Sequence, residues 1–145
     1  MLLDRTWIAA HIPHQGSMCL LDLVESWTET EIVCTTTSHR LPNNPLRADG
    51  SLGITNGIEY AAQAMAVHGA LLADNATPPL VGYLTSVRDV QWQRMRLDDI
   101  DDDLTIRAAR ISGNEVNILY SFSLLAKGET LLSGRASVLM NAGNL

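Results

Sequence analysis

The chain has 145 residues and a mass of 15.8 kDa, the size of one domain, in which about two-thirds of the unfolded chain's surface can be buried in a single core. Apolar residues at 46% and charged residues at 18% exclude disordered and solenoid classes. Ten Lys and Arg against 16 Asp and Glu give a net charge of -6, which excludes nucleic acid as the default partner, because backbone binding needs a basic surplus.

Asp4 to Met18 reads as a short helix or turn running into the loop His14-Gln15-Gly16-Ser17. Leu20 to Thr37 is rich in strand formers (Val24, Trp27, Ile32, Val33, Thr35 to Thr37) with a break near Glu29, as expected of one or two strands or a hairpin. From His39 to Gly53 the chain is punctuated by Pro42, Asn43, Asn44, Pro45, Asp49 and Gly50. This is a loop of a length that tends to be functional.

The strongest helix signal follows, from residue 56 to 74, with Thr55 or Asn56 as N-cap and Glu59 in the first turn. The segment is apolar and small-sided on every face, so it is expected to be buried. Its polar residues therefore stand out. Glu59 and Gln63 share a face, four positions apart, while His68 falls on the opposite side.

The second half alternates with period two. Val81 to Met95 forms one long strand or two; Leu104, Ile106 and Ala108 share a face, as do Val116, Ile118, Tyr120, Phe122 and Leu124. Leu132, Gly134, Ala136, Val138 and Met140 do likewise. Turns at Ser112-Gly113-Asn114 and Lys127-Gly128-Glu129 join the later strands as hairpins. The expected architecture is α+β, a curved antiparallel sheet on one long apolar helix, in a single domain over residues 1–145.

Two stretches carry a resemblance. His11-Ile12-Pro13-His14-Gln15-Gly16-Ser17-Met18-Cys19-Leu20-Leu21-Asp22 resembles the opening motif of beta-hydroxyacyl-carrier-protein dehydratases, and Gly57-Ile58-Glu59-Tyr60-Ala61-Ala62-Gln63 resembles their helix motif E-x-x-A-Q. Gly82-Tyr83-Leu84 and Arg88 resemble the strand that follows. The likeness is strongest to a divergent branch associated with aryl-polyene-type synthesis. It implies a hotdog fold that dimerises with active sites at the subunit interface, and an activity, 3-hydroxyacyl thioester dehydration on acyl carrier protein. The substrate would ride on the carrier's phosphopantetheine, with no further cofactor and no metal. One departure stands out: the interval from Asn44 to Gly53, where such dehydratases place a catalytic histidine, holds none. Either another histidine has taken the role, or the chain serves as the non-catalytic partner of a heterodimeric dehydratase. A hotdog acyl thioesterase, with Glu59 activating water, is the third reading.

Dehydration needs a base for the proton beside the carbonyl, donors for the enolate oxygen and an acid for the departing hydroxyl. An imidazole suits the first task. Backbone N–H groups at a buried helix start suit the second. A carboxyl raised by an apolar site suits the third. His14 is the only histidine inside a resemblance motif and is the candidate base; its bland reading is a loop histidine bonded to local backbone. Glu59 is the candidate acid, against the plain reading of a first-turn glutamate favoured by the helix dipole. Gln63 and Gly57 are the candidate orienting and substrate-binding positions, Gln63 competing with a simple polar tie to backbone. His11 is adjacent, His68 a core or dimer-face residue and His39 exposed.

Arg88, Arg94 and Arg96 share one face if 88–96 is a strand. There they would meet an acidic carrier protein or merely protect a sheet edge. The run Asp98 to Asp103 lacks the glycine and trailing glutamate of a calcium loop and reads as a solvated turn. Cys19 and Cys34 read as small buried thiols, a disulfide between them being the lesser alternative. No apolar run reaches membrane-spanning length, and Asp4 and Arg5 interrupt the opening stretch. The chain is accordingly expected to be cytoplasmic.

Overall fold

The computed structural model describes residues 3–73, 82–114 and 116–140. Its elements are β1 (Leu3–Asp4), α1 (Arg5–His11), β2 (Leu23–Trp27), β3 (Glu31–Thr36), α2 (Gly57–Leu72), β4 (Gly82–Trp92), β5 (Leu104–Gly113), β6 (Asn117–Ala126) and β7 (Glu129–Met140). All seven strands pair antiparallel in one sheet of order β1-β2-β3-β5-β6-β7-β4. Strand β4, the first after α2, thus becomes the outer edge beyond β7.

The period-two pattern decides which face is inside. On β5, Leu104, Ile106 and Ala108 are buried; on β6, Ile118, Tyr120, Phe122, Leu124 and Ala126; on β7, Leu132, Ala136 and Val138. The register puts Leu124 opposite Leu132 and Phe122 opposite Gly134. A Cβ at Gly134 would stand 2.8 Å from the Phe122 ring, so glycine makes room there for the aromatic side chain across the ladder. The two-residue turn Lys127-Gly128 has φ of +49° and +76°, the left-handed pair that a right-twisted hairpin needs.

Helix α2 lies against this face, packed on β3, β5 and β6. Gly57, Tyr60, Ala61, Gln63, Ala64, Met65, Val67 and His68 are buried, as an all-apolar helix requires. Glycine at 57 permits the closest approach. A Cβ there would stand 2.6 Å from Leu132 Cδ2 and 2.8 Å from Leu124 Cδ2. The helix start is thereby pressed directly onto the β6–β7 pair.

Several expectations are corrected. The helix is not entered through a side-chain cap; Ile54–Asn56 is a 3-10 turn, and Asn56 Nδ2 donates to the Gly53 carbonyl instead. Its expected C-terminal limit, Asp74-Asn75, lies outside the described residues. The strand expected to reach Arg96 ends at Trp92, and its register slips between Arg88 and Gln91, where Asp89 has φ +55°. Arg94 and Arg96 therefore lie beyond the strand and do not share its face. His39, expected at the surface, is fully buried, with Nε2 3.0 Å from the Ile100 carbonyl. Asp98 leaves the solvated-turn reading as well. Its side chain is 6% exposed, accepts the Leu52 N–H at 2.8 Å and pairs with Arg96. That guanidinium, first, holds its carboxyl well below the usual range.

Candidate active site

Helix α1 ends at His11, where Nδ1 lies 2.7 Å from the Trp7 carbonyl and the ring stacks on Trp7 at 3.9 Å. The chain then turns back toward α2. Gln15 Nε2 donates to the carbonyls of Ala9 and Ile12, Arg5 donates to Gly16, and Gly16 takes φ +59°. These ties fix the loop that carries His14.

Gln63 then fastens that loop to the helix. Its Oε1 accepts the Leu20 N–H at 2.9 Å, and its Nε2 donates to the Met18 carbonyl at 2.7 Å and to Glu59 Oε1 at 3.2 Å. Gln63 thus satisfies loop backbone and bonds the Glu59 carboxylate at once. The i, i+4 spacing makes this geometry available on one helix face.

His14 and Glu59, 45 positions apart in the chain, meet with Nε2 3.2 Å from Oε1, both side chains partly exposed. Hydrogen bonds hold the Glu59 carboxyl below its ordinary range, the His14 contact first, against desolvation and with help from Gln63. This corrects the sequence reading, in which an apolar site raises that carboxyl. The raising effect is present and is outweighed. His14 Nδ1 is buried without a hydrogen-bond partner among the described residues.

The pair borders a cavity of about 420 Å³, lined beside it by His11 and Pro13 and along α2 by Ala62, Met65, Ala66, Gly69 and Ala70. Gly82, Tyr83 and Leu84 of β4, with Ile118, Tyr120, Val138 and Met140, form the opposite wall. A mostly apolar slot with polar groups at one end suits a hydrocarbon chain joined to a reactive polar head. Gly57, held against Leu124 and Leu132, opens the helix two residues before Glu59.

The other histidines lie apart. His68 Nε2 is 2.8 Å from the Thr28 carbonyl, which can only accept, so this nitrogen carries the proton and Nδ1 accepts the Tyr120 hydroxyl at 2.7 Å. Burial keeps His68 low and pushes Tyr120 up to about 12; the pair is neutral. Arg94 pairs with Glu129 at 2.7 Å and Arg96 with Asp98, while Arg88 stays on β4, opposite Arg135. Cys19 and Cys34 are free and buried, and burial pushes the Cys34 thiol up to about 12. Sequence reasoning missed the wall residues Tyr83, Ile118, Tyr120 and Met140 as site residues. Their alternation announces a buried face but not which part of that face stays unfilled. No group of three potential metal ligands occurs among the described residues, and no described helix is long and apolar enough to cross a membrane.

One antiparallel sheet curled over a buried helix defines the hotdog class of folds, and here the His14–Glu59 contact borders an apolar slot within it. Among solved structures, the dehydratase heterocomplex ApeI:P from Xenorhabdus doucetiae superposes with a TM-score of 0.77 at 24% identity, over 91% of this chain and 89% of that one. A mutant thioesterase PA1618 from Pseudomonas aeruginosa gives 0.66 at 12% identity, covering 96% and 94%, and the E. coli PaaI protein of the phenylacetic acid degradation operon gives 0.60 at 16%, covering 80% of each. These likenesses establish the fold. Residues 6–144 match the ApeP-like family, described as ApeP dehydratase, and the chain belongs to that family. No curated protein matches it.

Proposed function

We propose that the chain is a catalytic 3-hydroxyacyl-carrier-protein dehydratase subunit, with His14 as base and Glu59 as acid. The observation that carries this reading is the 3.2 Å His14–Glu59 contact in the lining of the apolar cavity. An imidazolium beside a carboxylate and a neutral imidazole beside a carboxylic acid hold the same protons and differ by one transfer across that contact. Entry of an acyl chain displaces water and penalises the charged form. In the neutral form His14 Nε2 takes the proton from C2 and the C2–H electrons become the C2=C3 double bond. The C3–O bond breaks, and Glu59 gives its proton to the departing oxygen, which leaves as water. Glu59 is left as the carboxylate, the form that its hydrogen bonds favour, and the proton taken from C2 passes back from His14 to Glu59 before the next turnover. N–H groups at the start of α2 are suited to hold the thioester oxygen while it carries negative charge.

Assembly with a related dehydratase subunit belongs to this reading. Strand β4 is an 11-residue sheet edge, with Tyr83 and Trp92 each 50% exposed and Leu84 40% exposed. An edge of that length with apolar side chains is suited to pairing with another chain. Gly82, Tyr83 and Leu84 also wall the cavity, so a subunit on β4 would close the slot. The solved ApeI:P structure is a dehydratase heterocomplex, in keeping with such a partner.

The test is kinetic, with the chain and its partner dehydratase together, read at the absorbance of the enoyl thioester. A positioned base or acid contributes about 10²–10⁴-fold, so His14→Ala and Glu59→Gln should each lower kcat by that factor with little change in KM. The double variant should lose scarcely more than either single one, because both serve one transition state. Rates untouched by both changes refute the assignment. Loss with Glu59→Gln alone, accompanied by free acid as product, is the thioesterase outcome.

A further inference from the structure

We propose that Met140 is the terminal stop of the cavity and sets the length of linear acyl chain the site accepts. This rests on the acyl-thioester reading above and adds the feature that selects among its substrates.

The cavity has a direction. Along α2 its lining runs from Glu59 through Ala62, Met65 and Ala66 to Gly69 and Ala70. On the sheet, the Leu124–Leu132 pair meets Gly57 at the start of the helix, while Ile118, Val138 and Met140 follow in register toward its end. Helix and sheet therefore agree that Glu59 marks one end and the level of Gly69, Gly82 and Met140 the other. Eleven residues at 1.5 Å each put Ala70 about 16 Å beyond Glu59. An extended chain advances about 3.3–3.6 Å for every three bonds, so the slot holds roughly fourteen bonds of unbranched chain.

At that far end two glycines face one methionine. A Cβ at Gly82 would lie 3.0 Å from Met140 Sδ, and one at Gly69 would lie 3.6 Å from Met140 Cε. The thioether thus reaches from the edge strand toward the helix, with Val138 Cγ1 beside it, also 3.0 Å from a Cβ at Gly82. Met140 is tied by its own backbone, its N–H donating to the Val116 carbonyl, and it pairs with Gly82. Its side chain is unbranched, with three rotatable bonds, and packs adaptably. Glu59 and His14 lie at the opposite end, so this residue can select chain length without touching the reacting atoms.

The experiment measures kcat/KM for linear saturated 3-hydroxyacyl thioesters from about four to sixteen carbons, with the chain in its complex. The variants are Met140→Ala, Met140→Phe and Gly69→Val. One methylene in an apolar pocket is worth about 10–200-fold. Met140→Phe should therefore lower the ratio of long-chain to short-chain kcat/KM at least about tenfold, and Gly69→Val, which narrows the same end from the helix, should move it the same way. Met140→Ala should shift the optimum to longer chains. Ratios unchanged in all three variants, or an equal loss at every length, overturn the proposal. If the wild-type complex turns over no thioester, the dehydratase reading fails by itself. The stop is then decided by calorimetric binding of linear fatty acids of the same lengths, where the same ordering supports it and a profile blind to residue 140 overturns it.

Discussion

Gly57→Ala tests how the fold holds the site. The new methyl would sit 2.6 Å from Leu132 Cδ2 and 2.8 Å from Leu124 Cδ2. Contacts between carbon atoms settle near 3.5–4.0 Å, so something must give by about an ångström. The leucine methyls are flexible ends in principle, but both side chains are fully buried and opposite each other across the β6–β7 ladder, which leaves little space to retreat into. Forcing an extra carbon into a packed core costs about 1–3 kcal/mol. Alanine in place of glycine in a helix returns about 0.5–1 kcal/mol. The net is a loss of about 0–2.5 kcal/mol, small enough to leave the chain folded.

Activity should suffer more than stability. Relief by lifting the start of α2 carries Glu59, two residues on, away from His14, and a displacement of about 1 Å at such a site can cost about 10²-fold. Denaturant titration gives the stability term, and enoyl absorbance in the assembled complex gives the rate. The expected pattern is a midpoint shift of modest size with kcat reduced about 10²-fold. If Gly57→Ala leaves both stability and kcat within twofold of the parent, the helix start is not pressed on the sheet as described.

Further outcomes follow from single contacts. Gln63→Leu removes the bridge between the loop carbonyl of Met18, the Leu20 N–H and Glu59; leaving buried backbone groups unpaired should cost about 1–3 kcal/mol in a melting or denaturant experiment, and kcat should fall with it. His39 and His68 are fully buried and held neutral, chiefly by burial. Their folded pKa values lie below the unfolded one, so the unfolded chain binds more protons as pH drops. Stability should therefore fall as pH is lowered below about 6.5, by at most about 1.4 kcal/mol per pH unit for each histidine; a melting temperature that rises between pH 7 and 5 contradicts this. Leu84→Lys puts a charge on the exposed β4 edge and should shift sedimentation of the complex toward single subunits; unchanged assembly would place the interface elsewhere. Charge reversal at Arg88, the one of the three candidate arginines that remains on β4, should slow association with an acidic carrier protein and weaken its salt dependence. Identical kinetics at low and high salt would remove Arg88 from that face.

Much of the fold was legible because burial writes itself into periodicity. The small apolar stretch around Ala61 to Ala66 has no polar face to give to water, and the alternation from Leu104 to Met140 fixes one inner face. The break at Glu29 separates β2 from β3. Legibility fails where a single backbone angle decides. Asp89 at φ +55° interrupts β4, and nothing in the string Arg88-Asp89-Val90 announces a bulge, so the three arginines were placed on one face. It fails again for His39, whose burial depends on a carbonyl 61 positions away. The pairing of His14 with Glu59 came through motif resemblance, and Gln63 shows why such motifs hold together: one amide ties the loop to the helix. The direction of the Glu59 shift was not legible, because desolvation is a property of the helix sequence whereas the opposing hydrogen bonds come from a distant loop.

The central claim is that this chain, and not only a partner, removes water from a carrier-bound 3-hydroxyacyl group. The direct measurement is the intact mass of an acyl-carrier protein loaded with a linear 3-hydroxyacyl chain and incubated with the complex, in which the partner's own catalytic residues have been substituted. A carrier lighter by one water, and unchanged in mass when His14→Ala or Glu59→Gln is introduced here, is the predicted result. A carrier that keeps its mass with the parent chain present, or one that loses its whole acyl group as free acid, contradicts it.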